Sequence, residues 1–208
     1  MGVARTPRQA WIEQGLQTLA ASGVDAVRVE GLAKALGVTK GGFYGYFADR
    51  NALLEAMLDA WERESIDEVL DRVAREDDPR DKVVLAGRLT LSGDRLLAID
   101  LAIRNWARRD ESVAERLRRV DDRRMDLLRE MIGTFCSDPD EVEARSLLAF
   151  CLAIGNQFLA AGHNGRTHEE VRARASAIIL NRTHVQASPG STIRGDEENL
   201  RSESEEGK

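Results

Sequence analysis

The sequence predicts an all-α chain of about nine helices. Three observations carry that expectation. Across 208 residues there are four prolines and seventeen glycines, but no sustained alternation of Val, Ile and Thr such as strands need. Apolar residues recur instead at steps of three and four, the period of one helix face. Finally, Thr, Asp and Pro stand where those periodic stretches begin, as helix starts require.

In chain order, Thr6-Pro7 opens the first helix, with threonine as N-cap and proline at the first helical position. Ile12, Leu16, Leu19 and Ala20 repeat on one face as far as Ser22-Gly23. Arg28 stands where an extended link enters the next helix, either within reach of a phosphate or simply solvated. Leu32, Ala33 and Leu36 mark the apolar face of that second helix. Gly37 follows directly, where a helix C-terminus favours a residue that enters the left-handed region cheaply. Val38 plugs the corner, and Thr39 is placed to N-cap the third helix. Helix, short turn with glycine, helix is the helix-turn-helix pattern, whose second helix enters the DNA major groove.

The helix expected from Lys40 to Phe47 holds Gly41, Gly42 and Gly45. Each costs about 1 kcal/mol against alanine, so helix stability alone does not account for them. Glycines permit close backbone approach to a partner. Lys40, Tyr44 and Tyr46 offer a charge and hydroxyls to phosphate oxygens. Phe43 and Phe47, four residues apart, anchor the opposite face; an aromatic turn that merely packs a helix hairpin is the plainer account.

This segment resembles the DNA-binding domain of the TetR family of bacterial transcriptional regulators. The family pattern G-V-[ST]-x-x-x-[LF]-Y-x-[HY]-F-x-x-[KR]-x-x-L is filled without a gap by Gly37, Val38, Thr39, Phe43, Tyr44, Tyr46, Phe47, Arg50 and Leu53. The likeness covers about the first quarter of the chain. It implies a three-helix DNA-binding domain over residues 1–50, followed by a helical effector-binding and dimerisation domain over 51–185. It further implies Lys40, Gly41, Gly42 and Tyr44 as base-facing positions, and Thr39, Tyr46 and Arg50 as phosphate contacts. Tyr46 stands where many relatives have histidine, Gly45 removes a side chain that often touches DNA, and Val29 is no N-cap.

Asp49 caps a long helix from Arg50, with Leu53, Leu54, Met57, Leu58 and Trp61 on its apolar face and Val69, Leu70 and Val73 beyond. The resemblance implies that residues 50–75 join head to body. Asp77, Asp78 and Pro79 stop this helix, and Pro79 starts the next. Two helices follow, divided near Ser92-Gly93-Asp94. Leu96, Leu97, Leu101, Ile103 and Trp106 are apolar in the second of them. Ser112 opens a further helix with Val113, Leu117, Val120, Leu127, Leu128 and Met131 inward. Asp121, Asp122, Arg123 and Arg124 interrupt that face, as either a solvated charge face or a buried ion-pair network near Arg104 or Trp106.

Asp138-Pro139 starts a helix on which Leu147, Phe150, Cys151, Ile154 and Phe158 recur at three and four. Thr167 caps the last helix, with Glu170 at capping-box spacing and a stripe of Val171, Ala175, Ile178 and Ile179. Two such wide apolar faces at a chain end exceed what one subunit's core needs. Leu147, Phe150, Cys151, Ile154, Phe158, Val171, Ala175 and Ile178 are therefore expected to pair with a second copy as a four-helix bundle. Trp106, Phe150, Asn156, Gln157 and Phe158 mix apolar and polar surface and are the candidates for an effector pocket. Residues 186–208 hold six acidic residues against three basic ones and few apolar ones, the composition of a disordered acidic tail.

The net charge of −6 looks wrong for a DNA binder, but its distribution matters more. Residues 1–50 hold six basic and four acidic residues, a net of +2, leaving −8 for the rest. A weakly basic head on an acidic body predicts limited non-specific affinity. No run of eighteen apolar residues exists and the N-terminus lacks a signal-peptide core, so a cytoplasmic chain with no membrane partner is expected. Cys136 and Cys151 read as buried free thiols. No G-x-G-x-x-G, Walker A, H-E-x-x-H or G-x-S-x-G motif occurs, and His163, His168 and His184 lack ligand spacing. No catalytic residue, cofactor or metal is therefore expected. The function implied is a homodimeric repressor that binds a palindromic operator and is released by a small-molecule effector. An adapter or ligand-binding protein without DNA binding, and a helical enzyme, are the alternatives.

Overall fold

A computed structural model describes residues 7–91, 94–155 and 158–180. Among them are nine α-helices and no strand: α1 Arg8–Ser22, α2 Val29–Ala35, α3 Lys40–Tyr44, α4 Arg50–Val73, α5 Pro79–Leu91, α6 Asp94–Ala107, α7 Glu111–Gly133, α8 Pro139–Gly155 and α9 His168–Ile179. A 3₁₀ turn, Val24–Ala26, links α1 to α2. The proposed acidic tail, with His184, lies outside the described residues.

Helix starts follow local side-chain chemistry. Asp49 accepts from the Ala52 N–H at 2.8 Å, and Asp110 from the Ser112 and Val113 N–H groups at 3.1 and 3.4 Å. The expected capping box at Thr167 and Glu170 is present. Three starts differ from expectation. Pro7 occupies the N-cap position of α1 rather than its first turn. Asp110, not Ser112, caps α7. Thr39 has the extended N-cap backbone of α3, but its hydroxyl makes no capping bond. Gly37 does turn the corner as expected, at φ +67°.

One apolar core runs through α1, α2, α3, α4, α6 and α7. Trp11, Phe43, Leu53, Met57, Trp61 and Ile103 are fully enclosed in it. It crosses residue 50 without a break, because α4 is shared and α6 packs on α1. The close fit shows at Gly15, where a Cβ would lie 2.6 Å from Met57 Sδ. A second core, with Val69, Val73, Val83, Met131, Ile132 and Leu180, joins the far half of α4 to α5 and α7. Arg80 and Arg145 donate to the carbonyls of Leu180 and Ile179, closing the C-terminus of α9.

Charged residues tie these layers together. Arg116 of α7 grips Glu55, Asp59 and Glu62 along one side of α4. Burial works against the Arg116 charge, but the hydrogen bonds to Glu62 and Asp59 win and raise its pKa. Arg95 of α6 bridges Glu13 of α1 and Glu64 of α4. Between α6 and α7, Asp100 is wholly buried, with Arg104 Nε at 2.8 Å and Arg124 Nη2 at 2.9 Å. Arg104 also forks onto both Asp121 oxygens at 2.7 and 2.8 Å. The network alternative thus holds for Asp121 and Arg124, while Asp122 and Arg123 are solvated.

Candidate nucleic-acid interface and effector pocket

The head core fixes α3 from beneath. Phe43 meets Trp11 edge-on at 5.4 Å and stacks on Phe47 at 5.2 Å. Five residues long, α3 is shorter than the expected Lys40–Phe47 helix; Tyr46 and Phe47 follow in a turn, both donating N–H to the Phe43 carbonyl. Three glycines in two turns explain why so short a helix depends on the aromatic floor. Trp11 is a supporting residue that the expected α1 face omitted, although it neighbours Ile12 and lies one turn before Gly15.

On the outer side Thr39, Lys40, Gly41 and Tyr44 are exposed, Tyr44 by 61%. Gly42 is half-covered, and a Cβ there would stand 3.9 Å from the Trp11 ring. Tyr46 is half-buried and packs against the head core. Lys40 Nζ lies 2.5 Å from Glu30 Oε1, both side chains more than half exposed. The Lys40 hydrogen bond holds the Glu30 carboxyl below the usual glutamate range. Arg28 is exposed, with Nε donating to the Asp25 carbonyl at 3.2 Å.

Arg50, an expected phosphate contact, is half-buried and bonded within the head. Its Nε donates to the Val27 carbonyl and its Nη2 to the Val24 carbonyl, both at 2.6 Å. Two of its donor groups are thus spent on the backbone of the α1–α2 link, which the guanidinium ties to the start of α4.

The body contains an open pocket between α4, α5, α7 and α8, about 470 Å³ with its mouth included. Val69, Val83, Leu127, Leu128, Met131 and Phe150 supply its apolar wall, with Ser65 and Arg124 at polar positions. Of the expected pocket residues that are described, Phe150 alone lies here. Trp106 belongs to the first core, its indole N–H donating to Asp110 at 3.3 Å. Phe158 is 69% exposed and faces away from any core. Asn156 and Gln157 lie outside the described residues. The apolar positions of α7 recur at Val113, Leu117, Val120, Leu127 and Met131, and Arg124 falls on the same stripe. A charge at an inward phase was the sequence signal for it.

The expected pairing face stands open in the single subunit. Leu147, Phe158 and Ile178 are 53, 69 and 58% exposed, and Cys151 is exposed. Phe150, Ile154, Val171 and Ala175 are half-covered. The expectation of buried thiols is corrected: Cys136 is half-buried and Cys151 is at the surface, both free. His163 Nε2 and His168 Nδ1 share a hydrogen bond at 2.9 Å, and no group of three or more possible metal ligands occurs among the described residues.

Residues 12–57 match the model of a family described as "Bacterial regulatory proteins, tetR family". Over those residues the chain is similar to that family. Solved structures extend the likeness of fold along the rest of the chain. A putative transcriptional regulator from Saccharomonospora viridis in complex with choline is 18% identical, with 83% of this chain and 94% of that one covered and a TM-score of 0.65. AibR, in complex with isovaleryl coenzyme A and operator DNA, is 14% identical, with 83 and 97% covered and a TM-score of 0.59. FadR from Bacillus subtilis, in complex with stearoyl-CoA, is 12% identical, with 86 and 100% covered and a TM-score of 0.62. No curated protein sequence matches the chain. No described helix is long and apolar enough to cross a membrane.

Proposed function

We propose that this chain is a dimeric repressor that holds a palindromic operator and releases it when a small molecule fills the α4–α5–α7–α8 pocket. The observation that carries the reading is the exposed α3 surface of Thr39, Lys40, Gly41 and Tyr44, held rigid by the buried Trp11, Phe43 and Phe47. Gly41 and Gly42 let the backbone approach DNA closely, and Lys40 is the candidate for a guanine edge. Tyr44 joins Lys40 as a base-facing candidate, and Thr39 and Tyr46 are the candidate phosphate contacts, with Arg28 at the edge of the surface. Arg50 is kept as a brace, since its donors already serve Val24 and Val27.

Dimerisation through α8 and α9 would set two α3 helices about 34–36 Å apart, or a multiple of that distance. The outward Leu147, Phe158 and Ile178 support this pairing. Coupling follows from the packing. Arg124 of the pocket contacts Asp100 of α6, while Ile99 and Ile103 of α6 sit in the head core. A ligand that shifts Arg124 therefore acts on the helix that underlies α1. The resulting population favours a head spacing that misses the grooves.

Fluorescence anisotropy against DNA from upstream of the protein's own coding sequence tests the reading, with random DNA of equal length as reference. Operator binding well above random binding is expected, with Lys40→Ala lowering the ratio between the two. Equal affinity for both DNAs would leave the fold without this function and favour a non-DNA-binding adapter.

A further inference from the structure

We propose that the pocket takes an uncharged, largely apolar molecule carrying one hydrogen-bond-accepting oxygen, of the ketone or ester kind, with that oxygen at Ser65 and Arg124. The inference rests on the pocket being the effector site and names the chemistry that site selects.

Three observations carry it. The wall is apolar except for Ser65 and Arg124, so the bulk of an occupant must be apolar too. Those two side chains are 1 and 5% exposed, and Ser65 Oγ and Arg124 Nε have no hydrogen-bond partner. Arg124 Nη2 is close to Asp100 at 2.9 Å but not aligned for a hydrogen bond. Buried donors left unpaired are costly, and a plain hydrocarbon would leave them so. An oxygen with free lone pairs accepts from both the Ser65 hydroxyl and the Arg124 N–H.

Charge then narrows the class. Arg124 belongs to a cluster in which Arg104 and Arg124 face Asp100 and Asp121, two of each sign. The cluster is already balanced, so a carboxylate would bring an uncompensated charge into an apolar cavity. An ammonium group would meet the Arg124 guanidinium, because Asp100 Oδ1, which accepts no hydrogen bond, lies behind it and is not part of the pocket lining. A carbonyl oxygen supplies the missing partner and adds no charge. Space is present at Gly87, where an added Cβ would meet nothing within 4 Å.

Calorimetric titration of the full chain at neutral pH with 2-octanone, octanoate and octylamine tests this. The ketone is expected to bind about tenfold tighter than either ion, and Ser65→Ala to weaken the ketone several-fold while leaving the ions unchanged. Gly87→Leu, which fills the cavity without touching the charges, should abolish ketone binding without lowering the thermal midpoint of the free protein. Octanoate or octylamine binding as tightly as the ketone, with Gly87→Leu still blocking it, overturns the ligand class alone. Binding that survives Gly87→Leu, or no binding by any of the three, overturns the pocket as the effector site together with this inference.

Discussion

The head and the α8–α9 end treat their apolar residues in opposite ways. Around α3, Trp11, Phe43 and Phe47 are enclosed within one chain, while Thr39, Lys40, Gly41 and Tyr44 remain outside. At the other end, α9 has no buried residue within its bounds and Leu147, Phe158 and Ile178 point outward. The first region is finished by its own sequence. The second has the amphipathic pattern of a core but lacks the opposite wall, as an isologous interface would before its partner arrives. Similar apolar periodicity thus serves two ends, and burial within the single chain tells them apart.

The comparison can be broken at several points. The largest effect belongs to Phe43→Ala, which empties the centre of the head: a loss of about 3–5 kcal/mol is expected in chemical denaturation. A loss below about 1 kcal/mol would mean that the head core is not tightly packed. Arg50→Ala comes next, at about 1–3 kcal/mol, because the Val24 and Val27 carbonyls lose their donors. Unchanged stability with a shallower salt dependence of DNA binding would return Arg50 to the phosphate contacts.

At the other end, Phe158→Glu with Ile178→Glu should leave the subunit within about 0.5 kcal/mol of its own stability. Sedimentation should nevertheless show the mass fall to that of one chain. An unaltered mass would put the pairing face elsewhere.

The smallest effect concerns Glu13, whose pKa is lowered chiefly by its hydrogen bond to Arg95. A carboxyl with a depressed folded pKa adds stability above its unfolded value of 4.5, and that contribution disappears as pH falls through the folded value. The difference between wild type and Glu13→Gln should therefore be present at pH 7 and vanish in acid. For a half-exposed pair it amounts to about 0.2–1 kcal/mol. A difference that persists in acid would remove the α1–α6 ion pair from the account.

What the sequence made legible was local. Asp49, Pro79, Pro139 and the Thr167–Glu170 box sit within four residues of the helix starts they mark, and Gly37 marks its own turn. The bracing bonds of Arg50 were not legible, because its partners are 23 and 26 residues upstream and are backbone carbonyls, which no side-chain pattern records. Trp106 and Phe158 lie away from this cavity for a related reason. Aromatic and amide residues near α8 suggested a ligand, whereas the wall came from aliphatic stripes of four helices that touch only once folded. Asp100 and Arg124 could have been found as charges in phase with the apolar positions of α6 and α7, yet only packing identifies them as a pair.

Gly15 gives the α1–α4 contact a further property. Its missing methyl would come within 2.6 Å of a methionine sulfur that has no exposure into which to retreat. Ala at this position is a shim slid between the two shafts: either the Met57 side chain refolds within the core or the helices part. The strain would enter the packing beneath α3 while every exposed residue of that helix stays the same.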